Sequence, residues 1–352
     1  MSFPPADMEV TWYYPGGWQK FRLKRTTRAA PLGNEAMQPE LNDYLLRAVS
    51  LFNRSPELRR RFGSPEDPDF AKFVDTEAIL YMRELQEVGI PFPPWEEMLS
   101  VGGETDLRMF LTIGYACFLS VRNHIPGDLL PPISLLDFGA GCGRTMRFFF
   151  READRFACHA CDVDRKAVAY LKENMPFVKA EATENLPPLP YLSGSFDLVY
   201  SISVFTHLDR AALANWLKEI HRVTKPGGVF LVTLHGERAF TLVSNEPERR
   251  NLIGISEEEF AARHGSFTEH GFVWMKQPVG SPDIDRSQFG ISFVSRKMIE
   301  DQIRPYFEFV EYIDGEIGGW QDLAVLRKRT GRHPVTDPAQ RSSWAGSRPQ
   351  KH

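Results

Sequence analysis

The chain has 352 residues, of which 42% are hydrophobic and 25% charged, an ordinary globular balance with room for one large domain or two modest ones. A formal net charge of -4 gives no electrostatic argument for nucleic acid or an anionic membrane as partner. No stretch approaches the roughly 18 to 20 consecutive apolar residues of a spanning helix, and Met1 to Val10 lacks a basic segment followed by an apolar one, so a cytoplasmic protein is expected.

At the start of the chain, Val10-Thr11-Trp12-Tyr13-Tyr14 and Trp18-Gln19-Lys20-Phe21-Arg22-Leu23 flank Pro15-Gly16-Gly17. This pattern predicts a β-hairpin with aromatic pairing, either a small clasp on the main domain or a surface that stacks on a ligand. From Pro39 the spacing turns helical: Leu41, Leu45, Leu46, Val49 and Phe52 recur at intervals of three and four until Asn53-Arg54-Ser55-Pro56 breaks the run. Ala78 to Val88 and Asp106 to Val121 read as further helices, with loops at Pro91-Phe92-Pro93-Pro94 and Gly102-Gly103. Residues 1–130 are thus expected to form a hairpin and a helical extension.

A different alternation governs residues 131–328. Ile133 to Leu136 reads as a buried parallel strand that stops at Asp137, followed by Gly139, Gly141 and Gly143. Glycine matters there because a missing Cβ permits positive φ and a close approach to main-chain N–H groups. Thr145 to Arg151 continues as a helix, and Phe156 to Cys161 is a second strand ending at Asp162, close to the spacing of about 20 residues expected of a ribose-binding carboxylate. Cys158 and Cys161 bracket His159, but no second cysteine pair stands at ligand spacing, and positions three apart on a strand face opposite ways. Two small residues packing in a strand is the expectation, with no metal.

Arg165 to Glu173 makes a helix facing the sheet through Ala167, Val168 and Leu171, and Phe177 to Ala180 a third strand. Ser195 to Ser201 turns into a fourth strand, followed by Ile202-Ser203-Val204-Phe205-Thr206-His207-Leu208. Asp209 then caps a helix whose buried stripe is Leu213, Trp216, Leu217, Ile220 and Val223. Lys225-Pro226-Gly227-Gly228 ends it, and Val229 to Leu234 is a fifth strand. Residues 236–288 are expected as an insertion with a helical piece at Ser256 to Arg263 and a loop at Gln277 to Asp285. Ser295 caps a helix through Ile303, and Phe307 to Ile313 and Gln321 to Leu326 form a closing hairpin. Residues 329–352 hold little apolar material and are expected to be a disordered tail.

In this order the segments resemble the class I S-adenosylmethionine-dependent methyltransferases. The family's first motif, an acidic residue and G-x-G-x-G, is matched by Asp137, Gly139, Gly141 and Gly143, and its second acidic position by Asp162. Gly194 to Val199 matches G-S-F-D-x-V, Ile202 to Leu208 the segment after the fourth strand, and Lys225 to Gly228 the last common motif. The match runs from Ile133 to Leu234, with a looser extension to Arg327. The resemblance implies an α/β, Rossmann-like sheet, mostly parallel with the last strand antiparallel, and an N-terminal α-helical extension that commonly roofs the cleft; a scaffold or a dimer contact would serve equally. It implies S-adenosylmethionine as cofactor, with its methionine end against Gly139, Gly141 and Gly143, its amino group near Asp137 and its ribose hydroxyls on Asp162. Where the family often carries an acidic residue near the adenine, this chain has Ala182, beside Glu181 and Glu184.

The expected chemistry is transfer of a methyl group to an O or N atom of a small-molecule or glycan-like acceptor, helped mainly by in-line placement of the nucleophile. A base is needed only if the acceptor loses a proton. His207 after the fourth strand and His235 after the fifth both stand at carboxyl ends of strands, where ligands bind in open α/β sheets, and either is a candidate; each is also an ordinary structural histidine. Acceptor contacts are expected from the N-terminal region and the insertion, through Trp12, Tyr13, Trp95, Phe267, His270, Phe272 and Trp274, which would otherwise be core or lid packing. Two other functions fit less of the pattern: an NAD-dependent oxidoreductase, disfavoured by the glycine spacing, and a cofactor-binding scaffold without catalysis. Oligomeric state is not legible.

Overall fold

A computed structural model describes residues 7–14, 17–24, 90–94, 97–98, 107–277 and 290–330. The helices expected at 41–52 and 78–88, most of the loop from Gln277 and the tail beyond 330 lie outside them. Strands β1 (Asp7–Tyr14) and β2 (Gly17–Lys24) form the expected antiparallel hairpin, with Tyr13 opposite Trp18 and Val10 opposite Phe21.

The central feature is a seven-stranded sheet. Its strands are β3 (Ile133–Phe138), β4 (Phe156–Asp162), β5 (Val178–Ala182), β6 (Phe196–Ser201), β7 (Thr224–Leu234), β10 (Phe307–Ile317) and β11 (Gln321–Lys328), in the order β10-β11-β7-β6-β3-β4-β5. Strand β11 is antiparallel to both of its neighbours, and every other pair along the sheet is parallel. The order reverses between β3 and β6, which leaves a crevice at the carboxyl ends of these strands.

Alternation along the strands builds two cores. Leu135, Leu198, Tyr200, Val229 and Leu231 face one side, where α1 (Leu107–Asn123), a 3-10 helix (Met146–Glu152) and α2 (Arg165–Asn174) bring Phe110, Phe118, Phe149 and Leu171. Leu136, Val199, Phe230 and Val232 face the other, against Leu213, Trp216 and Ile220 of α3 (Arg210–Val223). Cys158 and Cys161 fall in different cores, as their spacing requires.

Helix starts follow the expected chemistry. The Asp209 carboxylate accepts from Ala212 N–H at the start of α3, and Asp164 does so from Lys166 and Ala167 in α2. Two local departures have identifiable causes. The segment after the glycine loop is a 3-10 helix, and Arg147 there turns back to donate to the carbonyls of Gly143 and Cys142 at 3.2 Å each. Thr224 already pairs with Phe196, so β7 begins before the K-P-G-G run, which forms a register shift until Val229 meets Leu198.

Between β7 and β10 lie α4 (Glu237–Asn245), α5 (Pro247–Leu252), α6 (Glu257–Arg263), α7 (Gly265–His270), an antiparallel ribbon of β8 (Phe272–Lys276) and β9 (Gly290–Val294), and α8 (Arg296–Ile303). Ala239, Val243, Phe260, Val273, Ile291 and Phe293 give this region a third core of its own. Ser295 caps α8 through Met298 N–H at 3.2 Å.

Leu198 is fully buried at the centre of the sheet. Leu198→Ala should therefore cost roughly 2 to 5 kcal/mol. The expected result is a lower urea midpoint with an unchanged slope.

Candidate functional site

The carboxyl edge of β3 gathers the residues singled out by the first motif. Asp137 is buried, and its side chain accepts the Tyr200 hydroxyl at 2.7 Å from β6, where the two residues are register partners. Burial pushes the Asp137 carboxyl up to about 7, against the pull of the Tyr200 hydrogen bond. Gly139, Gly141 and Gly143 have φ of 82°, 52° and 75°. A Cβ on Gly139 would lie 2.1 Å from Val204 Cγ2, and one on Gly143 2.7 Å from Leu171 and Met175. All three positions therefore demand glycine.

Strand β4 clamps this loop. Gly139 and Ala140 donate to the Cys161 carbonyl at 2.9 and 3.1 Å. One oxygen of Asp162 accepts from Gly141 N–H at 2.7 Å and the other from Asp164 N–H at 2.9 Å. Burial raises the Asp162 pKa, opposed chiefly by these N–H groups. Each carboxylate oxygen retains further acceptor capacity. Two buried carboxyls flank a loop with glycine at every second position, and the Asp137 side chain bonds only a neutral phenol among the described residues. A ligand with a cationic group and hydroxyls fits this chemistry. Beside it, Thr183 N–H donates to the Asp162 carbonyl at 2.9 Å, whereas Glu181 and Glu184 form surface ion pairs with Lys172 and Arg165.

Farther along the same edge lies a second polar group of residues. Ser203, just after β6, is the one non-glycine residue with positive φ among the described residues, at 63°. Its N–H donates to Thr233 Oγ1 at 2.8 Å, and its Oγ accepts from Gln321 Nε2 at 2.7 Å. His207 and His235 both lie under β9. His207 Nδ1 is 2.7 Å from the Gly290 carbonyl, and His235 Nδ1 is 3.3 Å from that of Ser292. The His235 ring packs against both Phe293 and Trp320, with centroids at 5.4 and 4.9 Å, and its Nε2 is buried without a hydrogen-bond partner. Burial lowers the pKa of His207. It holds His235 down to about 3, with the neighbouring His207 as the next contribution.

The ribbon is stitched to the sheet by its backbone. Ser292 N–H donates to the Thr206 carbonyl at 2.7 Å, and Val294 N–H to that of His235 at 2.8 Å. Trp274 Nε1 donates to the His207 carbonyl at 3.0 Å. Phe267 stacks on Phe240 with centroids 4.0 Å apart, Phe272 is buried, and His270 is exposed beside Glu269. Phe267 thus belongs to the core of the inserted region, Phe272 to the sheet core beneath it, and His270 to the surface. The side chains of Trp12, Tyr13 and Trp95 lie outside the described residues. Tyr200, Ser203, Thr233, Trp320 and Gln321 were not singled out by sequence. Only Tyr200 carried a signal, as the last aromatic of the fourth-strand motif.

The depressed His235 pKa has a definite sign. Folding favours the neutral imidazole, so this stability is fully present above the unfolded histidine value of about 6.5 and is lost as pH falls toward the folded value. Between pH 6.5 and 5 the wild type should lose about 2 kcal/mol through this group, and His235→Gln should remove that part of the slope. Urea denaturation at the two pH values checks it.

Residues 136–232 match the family described as Methyltransferase domain. The glycine/sarcosine/dimethylglycine N-methyltransferase of Actinopolyspora halophila is 32% identical over 115 residues, covering 30% of this chain and 19% of that protein. The malonyl-(acyl-carrier protein) O-methyltransferase of Methylococcus capsulatus is 26% identical over 172 residues, covering 48% of this chain and 57% of that protein. The chain thus spans about a fifth and somewhat over half of these curated relatives' lengths, 19% and 57%. Among solved structures, a SAM-dependent methyltransferase from Methanosarcina mazei matches with a TM-score of 0.43 and 14% identity, over 60% of this chain and 98% of that one. Residues 136–232 thus match a methyltransferase domain, over the stretch that carries the glycine loop, Asp162 and the K-P-G-G run.

Proposed function

We propose that the chain binds S-adenosylmethionine and transfers its methyl group to an O or N atom of a small-molecule or glycan-like acceptor. The observation that carries this reading is the buried Asp137 carboxyl, bonded only by a phenol among the described residues and set beside three left-handed glycines. The bound cofactor would supply a methyl group already activated on a sulfonium. Asp137 would hold the cationic amino group, the loop from Gly139 to Gly143 would admit the methionine end, and Asp162 would accept from the ribose hydroxyls. His207 and His235 are the candidate bases for a protic acceptor, and the ribbon above them would exclude water. Among the described residues no helix is long and apolar enough to cross a membrane.

Calorimetric titration with S-adenosylmethionine, S-adenosylhomocysteine and NAD tests the reading. Binding of the first two and not of NAD is expected; the reverse would overturn it. A methyl-transfer screen then separates an enzyme from a scaffold that binds without turnover.

Asp162→Ala should leave the protein folded by circular dichroism and weaken S-adenosylmethionine by roughly 1 to 3 kcal/mol, as for a charged hydrogen-bond acceptor. A cationic ligand favours the Asp137 carboxylate, so its pKa should drop below the free value of about 7 on binding. Affinity for S-adenosylhomocysteine should accordingly rise about tenfold between pH 6 and 7.5. Asp137→Asn should abolish that dependence in the same titrations.

A further inference from the structure

We infer that His235 takes the acceptor's proton, in a subsite with Ser203 and Gln321 that recognises an uncharged hydroxyl or amine by accepting its hydrogen bond. The inference rests on the methyl-transfer reading above and divides roles between its two histidines.

Sheet register brings these residues together. Leu234 of β7 is the antiparallel partner of Asp322 in β11, so one further step sets His235 beside Gln321. On the other side of β7, Ser203 follows β6 and is fixed by Thr233. Three neighbouring strand ends thus present Ser203, His235 and Gln321 in a row along the edge where ligands enter an open α/β sheet. They lie beyond Asp137 and the glycine loop, so they do not compete with the proposed cofactor contacts.

Each member of the row is held in a way that packing alone leaves unexplained. His235 Nδ1 faces a carbonyl and must carry the ring proton, which leaves Nε2 as a bare lone pair, buried and without a partner. One end of the Gln321 amide reaches Ser203, and the other is buried without a partner. A buried polar atom left unsatisfied is destabilising, and such atoms are uncommon in folded interiors. Ser203 adds a left-handed backbone at 63°, a conformation that non-glycine residues adopt at a cost and that clusters at ligand sites. His207 differs, because Nδ1 is bonded to Gly290 and its side chain is also hydrogen-bonded by Gln277. It positions the ribbon and has no vacant nitrogen comparable to that of His235.

The class of acceptor follows from charge. A carboxylate or phosphate would set negative charge against the Nε2 lone pair, with the Asp322 carboxyl, buried and bonded by Tyr312 and Gly315, one strand position away. A hydroxyl or a neutral amine supplies the missing donor instead. As the acceptor's oxygen or nitrogen bonds to the methyl carbon, the carbon–sulfur bond breaks with its electron pair going to sulfur, and the acceptor's proton passes to His235 Nε2. One positive charge leaves sulfur and one arrives on the imidazole, so the net charge of the enclosed site is unchanged. Burial keeps this imidazole unprotonated in the neutral range and also makes it a weak base, so the proton moves only as the forming bond to the methyl carbon puts positive charge on the acceptor atom and acidifies it.

The test uses the full chain with 15N-labelled histidine, saturated with S-adenosylhomocysteine. His235→Gln assigns the His235 signals among the nine histidines. Phenol, catechol, glucose and aniline are added in turn, with benzoate as the anionic comparison. At least one neutral probe should shift the Nε2 resonance, and benzoate should not. If no probe moves it, or benzoate alone does, the subsite is absent and the inference is overturned. For any probe that is methylated, His235→Gln should lower kcat by about 100- to 10,000-fold with S-adenosylmethionine affinity retained. A wild-type kcat would overturn the role of His235 while leaving cofactor binding intact. Failure of the wild type to bind S-adenosylhomocysteine would instead remove the underlying reading.

Discussion

The Asp162 side chain is the constraint on which the cofactor end of the structure depends. Its two oxygens accept N–H groups from Gly141 and from Asp164, one in the loop after β3 and one at the start of α2. Together the bonds fix the tip of one βα turn to the beginning of the next helix, the first of them spanning 21 residues of chain. Without them the left-handed glycine run would have the freedom that glycine brings and no defined shape. The same carboxyl is the proposed ribose acceptor, so shaping the loop and reading the ligand fall to one group.

Along the sheet edge, polarity is arranged in two stages. Near β3 and β4 the buried carboxyls are answered by N–H groups and a phenol. Near β6, β7 and β11 neutral polar atoms are buried with hydrogen-bonding capacity left over, at His235 and Gln321. Unsatisfied groups of that sort are uncommon in folded interiors. Their concentration around the strand ends under the ribbon gives the acceptor side of the proposed reaction a chemical character distinct from the cofactor side.

Much of this was legible in the residues. Alternation and apolar runs placed β3, β6 and β7, because strands buried on both faces must be apolar throughout. Asp209 and Ser295 announced the helices that they cap, since short polar side chains satisfy first-turn N–H groups. What escaped notice depended on distant pairing. Gly290 to Val294 is too short an apolar run to reveal that it pairs with β8, and Gln321 meets Ser203 across 118 positions. The left-handed turn at Ser203 had no glycine or asparagine to mark it. Both histidines were visible, but that one has an unoccupied nitrogen was a property of the ribbon packed over them.

The manner of that packing has an evolutionary consequence. Strand β9 is joined to the sheet through main-chain bonds to the carbonyls of Thr206 and His235, while its side chains belong partly to a separate core built from α4, α6 and β8. Attachment through peptide groups is indifferent to which side chains the ribbon carries. Residues of the lid that face its own core can therefore drift with little effect on how it is fastened, whereas Phe272, Trp274 and Val294, which pack into the sheet core, must change in step with it. A lineage built this way can try new surfaces over a preserved floor, one substitution at a time.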